Sequence, residues 1–234
     1  MANTFGANTD FFGLADEDWE LQSSNYNPES SQAQAEDEYG DIDCEERYEN
    51  TASVECVYKL KSNGTLGKVH LPADFRGGHS NEEGGDTFVI TGGTLACSNT
   101  ERPTLTVSGV EMHGATDALA IYDFAGEIGE INARKVATEI GFSVSLNTKV
   151  NTVSVACSCE TARMLDSDGE IAMVDVYRGR LESSGDLVTC EGAQTVAAAE
   201  GWTLQNNPSK TEENVDFLKG SVSVFKNLSA VEES

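Results

Sequence analysis

Basic residues are scarce in this chain of 234: 15 Lys and Arg stand against 40 Asp and Glu, giving a formal net charge of −25. Holding nucleic acid by neutralising its phosphates needs Lys and Arg and the counterion release they bring about, so a chain of this balance repels DNA. Such a field keeps a protein soluble and governs what approaches it, without specifying a fold. Apolar runs long enough for a membrane-crossing helix are missing as well. Met1 to Phe12 has no basic stretch followed by an apolar one, which predicts no secretory signal. The sequons Asn63-Gly-Thr and Asn227-Leu-Ser are then without consequence. No membrane partner is expected.

Chemistry-bearing patterns are absent too. The three histidines, His70, His79 and His113, fall in different contexts without metal-ligand spacing, and His79 lies in the glycine-rich, acidic stretch Gly77 to Gly85, read as a solvated loop. A nucleophile elbow, a Walker loop and a dinucleotide fingerprint are all missing. With 40 carboxylates, a close pair arises by chance, so no acid and base pair stands out. Asp166-Ser-Asp168-Gly169-Glu170 sets alternate acids before a glycine, as a calcium loop would. The full loop needs a bidentate Glu at its twelfth position, where this chain has Tyr177, so the stretch reads as a β-turn. The six cysteines, Cys44, Cys56, Cys97, Cys157, Cys159 and Cys190, are widely spaced. They read as reduced, buried apolar residues, with Cys157 and Cys159 on one strand face beside Val153 and Val155. Metal binding at that pair would need two further ligands that no second Cys or His pair supplies. No cofactor and no metal is expected, and the chain reads as no enzyme.

What is present is β pattern. Four prolines, 22 glycines and many Ser, Thr and Val favour strands and turns. The expectation is a mainly β fold: an antiparallel sandwich or barrel-like domain with one or two short helices and an extended N-terminal arm. Residues 1–50 form the arm, with fourteen Asp or Glu against a single base, Arg47. Composition alone would make it disordered. Yet Phe5, Phe11, Phe12, Leu14, Trp19 and Tyr26 are dotted through it. Phe5, Phe11, Phe12, Trp19 and Tyr26 are therefore candidate assembly residues that dock on a neighbouring subunit; the alternative is an arm folded back on its own domain.

Residues 51–200 alternate with a period of two. Val54, Cys56, Tyr58 and Leu60 share one side opposite Glu55, Lys59 and Lys61. Phe142, Val144 and Leu146, joined through Asn147–Asn151 to Val153, Val155, Cys157 and Cys159, read as one half-buried hairpin. Further strands are predicted at Thr65–Leu71, Phe88–Ser98 with a bulge at Gly92-Gly93, Thr104–Met112, Ile171–Leu181 and Leu187–Glu191, with Ser183–Asp186 as a turn. Short helices are predicted at Thr161–Leu165 and Gln194–Glu200, while Asp117–Phe124 is ambiguous. In residues 201–234, Ser209 and Glu212 fit a capping box for a helix over Lys210–Lys219, before a last strand, Ser221–Leu228, returning to the sheet.

Phe88-Val-Ile-Thr-Gly-Gly-Thr-Leu-Ala-Cys-Ser-Asn-Thr-Glu-Arg-Pro-Thr-Leu-Thr-Val-Ser-Gly109 resembles segments of bacteriophage virion proteins of the tail tube type. Gly201-Trp-Thr-Leu through Asn214-Val-Asp-Phe-Leu-Lys-Gly-Ser-Val-Ser-Val-Phe-Lys-Asn-Leu228 has a similar flavour. The resemblance implies a sandwich-like domain, with rings of subunits joining their sheets into an inner barrel. Rings would stack into a tube whose acidic lumen passes DNA without binding it. The partners would be copies of the chain and neighbouring virion proteins, assembled in the host cytoplasm. Arms and long hairpins in such proteins clasp adjacent rings, a role open to the first part or to Phe142–Cys159. The length and acidity of residues 1–50 keep a capsid decoration, neck or baseplate component open. From another class, a monomeric adhesin-like or DNA-mimicking binding module is the alternative.

Overall fold

Period-two alternation builds one large antiparallel sheet in this computed structural model, which describes residues 8–36, 38–39, 41–61, 67–112, 120–145, 147–167, 171–189, 195–205, 209–212 and 218–231. Its main strands are β1 (Trp19–Glu36), β2 (Ile42–Leu60), β5 (Asp86–Ser98), β6 (Thr104–Met112), β9 (Thr148–Leu165), β10 (Ile171–Thr189) and β14 (Leu218–Asn227). They lie side by side in the order β1-β2-β6-β5-β9-β10-β14, followed by the two-residue β12 (Thr203–Leu204). Two short strands pair off this path: β4 (Ser80–Glu83) with β5, and β13 (Ser209–Glu212) with β14. β3 (Lys68–His70) pairs with β7 (Glu130–Asn132), and β8 (Phe142–Val144) with β11 (Val196–Ala198), as two small sheets. The domain is mainly β and antiparallel, with one short helix, α1 (Phe124–Ile128).

One face of each strand is apolar and faces inward. Val54, Cys56, Tyr58 and Leu60 of β2 are buried, while Ser53 and Glu55 are exposed, the split that the alternation predicts. Leu105 and Val107 of β6, Val153, Val155 and Cys157 of β9, and Leu181 and Leu187 of β10 continue the same inner face. Although β10 is several places from β2 and β6 in the ladder, it comes within 8 Å of both between Cα atoms, so the sheet curls over its own core. Strand twist and bulges permit that curl. One bulge falls between Ile90 and Gly92, at the predicted Gly92-Gly93 site. A Cβ on Gly92 would sit 2.6 Å from the Cys157 carbonyl oxygen, so the strands approach too closely there for any side chain.

β3, α1, β7 and β8 lie outside the large sheet and add residues to its core. Phe75 packs against Phe124 with ring centroids 5.4 Å apart, and Ile131, Ile140 and Phe142 join the same core. Asp123 caps α1 by accepting from the Gly126 amide, and Gly129, at φ +74°, ends it.

Several local expectations give way to pairing at long range. Thr161–Leu165 is strand, because β10 supplies a full ladder partner through Leu165↔Ile171. Val196–Ala198 is strand β11 rather than helix, and the predicted helix over Lys210–Lys219 is replaced at both ends by β13 and β14, residues 213–217 lying outside the described residues. Ser183–Asp186 is no turn: it runs through the middle of β10, with Ser183 opposite Val155 on one side and Val224 on the other. Phe142–Val144 does not form a hairpin with β9; its partner is β11, and β9 pairs with β5 and β10. Local propensity loses wherever a sheet partner supplies backbone bonds and burial.

Candidate assembly surface

The candidate assembly aromatics are mostly internal. Phe12 and Trp19 are 1% and 0% exposed within their own chain, and the Trp19 indole N–H donates to the His70 carbonyl at 3.1 Å. Phe11, half-buried, lies 4.9 Å from Phe88 and 5.9 Å from Tyr26 between ring centroids. The Tyr26 hydroxyl donates to Glu111 at 2.6 Å, and that carboxylate is buried. Burial and the neighbouring Glu111 push the Tyr26 hydroxyl well above its ordinary range. Asp10 accepts from the buried Tyr58 hydroxyl and from the amide of Ala15, folding residues 10–15 back over β2. Of the five, Phe5 lies outside the described residues, and Phe11, Phe12 and Trp19 belong to the core instead of reaching for a neighbour. The reason is burial: large rings next to a curled sheet lose more water-exposed apolar surface inside than on an open arm.

What reaches out is a hairpin that the sequence pattern did not announce. β1 and β2 pair from Trp19↔Leu60 to Glu36↔Ile42, but β6 accompanies β2 only from Ser53 to Lys59. Beyond Asn27↔Ser53, about nine more residues of β1 extend roughly 30 Å at strand spacing. From Asn25 to Glu36 every β1 residue is exposed except half-buried Ser31, and Ile42, Asp43, Cys44 and Glu45 are exposed on β2. At its root Thr51 and Ala52 of β2 are still buried; farther out the described side chains are exposed, and among the described residues no strand pairs with the outer edge of β1. Its signal was faint because Ser31-Gln-Ala-Gln-Ala-Glu36 offers no large apolar side chain. The register explains how an acidic ribbon stays paired: Glu45 and Glu46 face Gln34 and Ala33, so like charges are not set directly opposite. Gln32 also donates to Glu45.

Neither a family model nor a curated protein matches the sequence.

A second hairpin leaves the same end of the sheet. β9 and β10 run past the last β5 contact, Gly92↔Ser158, to Leu165↔Ile171. Met164 and Leu165 are exposed at its tip, and Asp166 follows them; Asp168 lies outside the described residues. At the β10 bulge Arg178 adopts φ +54°, and its guanidinium pairs with Glu160 at 3.1 Å. The adjoining Gly179 lies against the Tyr122 ring, which a Cβ would meet at 2.3 Å.

Among the described residues no group of three His, Cys, Asp or Glu is arranged to hold a metal ion. The described thiols are free; Cys44 is exposed, contrary to the expectation that all are buried. Burial pushes the Cys97 and Cys159 thiols up to about 12 and Cys56 to about 11, so these sulfurs stay protonated at neutral pH and are poor nucleophiles and ligands. The surface offers an unpaired strand edge on β1 and a strong negative charge.

Proposed function

We propose that this chain is a non-enzymatic structural subunit that assembles with copies of itself and with neighbouring virion proteins, most simply as a bacteriophage tail tube-type protein. The observation carrying the reading is the outer β1–β2 ribbon, whose β1 strand is exposed from Asn25 to Glu36 save half-buried Ser31 and presents an open strand edge. An unpaired row of N–H and C=O groups is a template for another chain. A β-rich domain with a curled sheet and hairpins leaving one end suits rings that join sheet to sheet and stack. The acid excess suits a bore through which DNA slides, since carboxylates repel phosphates. A neck, decoration or baseplate position uses the same surfaces.

Electron microscopy and light scattering of the purified protein at rising concentration test this reading. Rings or tubes are the expected result. A strictly monomeric, compact species at every concentration overturns it and favours the monomeric binding module, for which the acidic ribbon would be the mimic of a charged partner.

A further inference from the structure

Two of the chain's four methionines stand opposite each other on the outer part of β9–β10, where Met164 is the register partner of Met173. Directly opposed residues point to the same face with Cβ atoms about 4.5–5.5 Å apart, so two thioethers share one spot. The ladder shows why they face water. An extra residue, Ala172, falls between the pairs Ile171↔Leu165 and Met173↔Met164, and it resets the alternation. Ile171 is buried, and from there Val174 and Val176 take the inner positions while Met173, Asp175 and Tyr177 take the outer ones. Met164 is 56% exposed, and Met173 is half-buried.

Core packing does not account for sulfur at either position. The inner side of this hairpin is filled by Ile171, Val174 and Val176, whereas the rows beside the pair on the outer side, Ala162↔Asp175 and Glu160↔Tyr177, are exposed. Met112, which closes β6, is the contrast. Only 1% of it is exposed, within the core, so a dissolved oxidant does not reach its sulfur. The nearby Cys159 thiol does not compete either: burial keeps it protonated at neutral pH, while a thioether reacts without first losing a proton.

We propose that Met164 and Met173 form a reversible oxidation site, at which peroxide converts the pair to sulfoxides while the fold stands. A sulfur lone pair attacks one peroxide oxygen and the O–O bond breaks; the sulfur keeps that oxygen as the sulfoxide, and the other leaves as water. Each sulfur gives two electrons to one peroxide. The product is polar where the thioether was apolar, so the end of the hairpin, where Leu165 is also exposed, turns from apolar to polar. Methionine sulfoxide reductases restore the thioether, which makes the change a switch. The inference concerns the single chain and does not rest on the assembly reading.

Dilute hydrogen peroxide followed by peptide mass mapping tests this on the full chain. Met164 should oxidise first and Met173 next, both roughly tenfold or more faster than Met112. At that point circular dichroism should be unchanged and retention on a hydrophobic-interaction column should fall, and treatment with methionine sulfoxide reductases should restore the retention. Met164→Leu/Met173→Leu keeps size and apolarity, so it should fold, and peroxide should no longer alter its retention. Met112 oxidised as fast as the pair, or loss of the fold when the pair is oxidised, overturns the inference. So does a retention shift that persists in the double variant, because the change in polarity then arises elsewhere in the chain.

Discussion

The two long hairpins leave the same end of the sheet and differ in what holds them. In the outer part of β9–β10, Ile171, Val174 and Val176 are all 0% exposed, and β10 crosses close to β2 and β6. The outer part of β1–β2 buries only small residues near its root, Thr51 and Ala52, and its β1 strand from Asn25 to Glu36 is exposed save half-buried Ser31. Strand length and pairing are alike in the two, yet one is part of the core and the other is a ribbon. A two-stranded ribbon without a buried face is marginal in water, so its persistence depends on the sheet at its root and on whatever it meets. Length of pairing therefore says little about stability, and the distribution of apolar side chains along the pairing says most of it.

The sharpest way to break that comparison is to place a charge in the buried hairpin. Val174→Asp should destabilise the fold by several kcal/mol, because it buries a carboxylate with no partner. Urea unfolding followed by circular dichroism reads this directly. A midpoint unchanged by the substitution would mean that β10 is as open as the β1 ribbon.

Next in size is Trp19→Ala, which probes the root of the other hairpin. Removing a fully buried Trp costs about 3–5 kcal/mol, and this one also leaves the His70 carbonyl without its donor. Deleting Met1 to Tyr26 should accordingly prevent folding, since Phe12, Leu14 and Trp19 are core residues. A truncated chain that keeps its unfolding midpoint would restore the picture of a detachable arm.

These contrasts show what the sequence disclosed. β6 was legible to the residue as Thr104–Met112, because Leu105 and Val107 alternate with Thr104, Thr106 and Ser108 on a strand with one wet face. The Gly92 bulge and the return of β14 were legible from a double glycine and from Val222 and Val224. Three features were hidden for physical reasons. Ser183-Ser-Gly-Asp186 has turn chemistry, but it sits between two partner strands that fix it extended. Thr161–Leu165 carries little β pattern and borrows its conformation from β10. The outer β1–β2 ribbon carries little apolar signal, since its β1 side chains are exposed; only its charge was visible, and charge does not report conformation.

A smaller effect should come from Tyr26→Phe at the point where the ribbon leaves the core. The ring stack on Phe11 survives, but buried Glu111 loses the hydroxyl that donates to it. Leaving a buried acceptor short of its partner costs about 1–3 kcal/mol. The double variant Tyr26→Phe/Glu111→Leu should recover part of that loss, because it removes the stranded carboxylate as well. Equal destabilisation in the single and double variants would show that the bond does not hold the ribbon root.

The smallest expected effect is the most telling about the ribbon itself. Ala33 is exposed opposite Glu46 on the ladder, so Ala33→Ser changes no buried contact and adds no charge. Monomer stability should move by no more than about 0.5 kcal/mol, the range of ordinary surface changes. Hydrogen exchange distinguishes an idle ribbon from a docking one on the same strand. In the monomer, amides of Ser31–Glu36 should exchange through local fraying, while those of Val174 and Val176 wait for global opening. On assembly the ribbon amides should gain protection, because a partner excludes water and steadies the ladder. Protection equal to that of β10 in the isolated monomer would mean that the ribbon is already covered by its own chain, and the difference between the two hairpins would vanish.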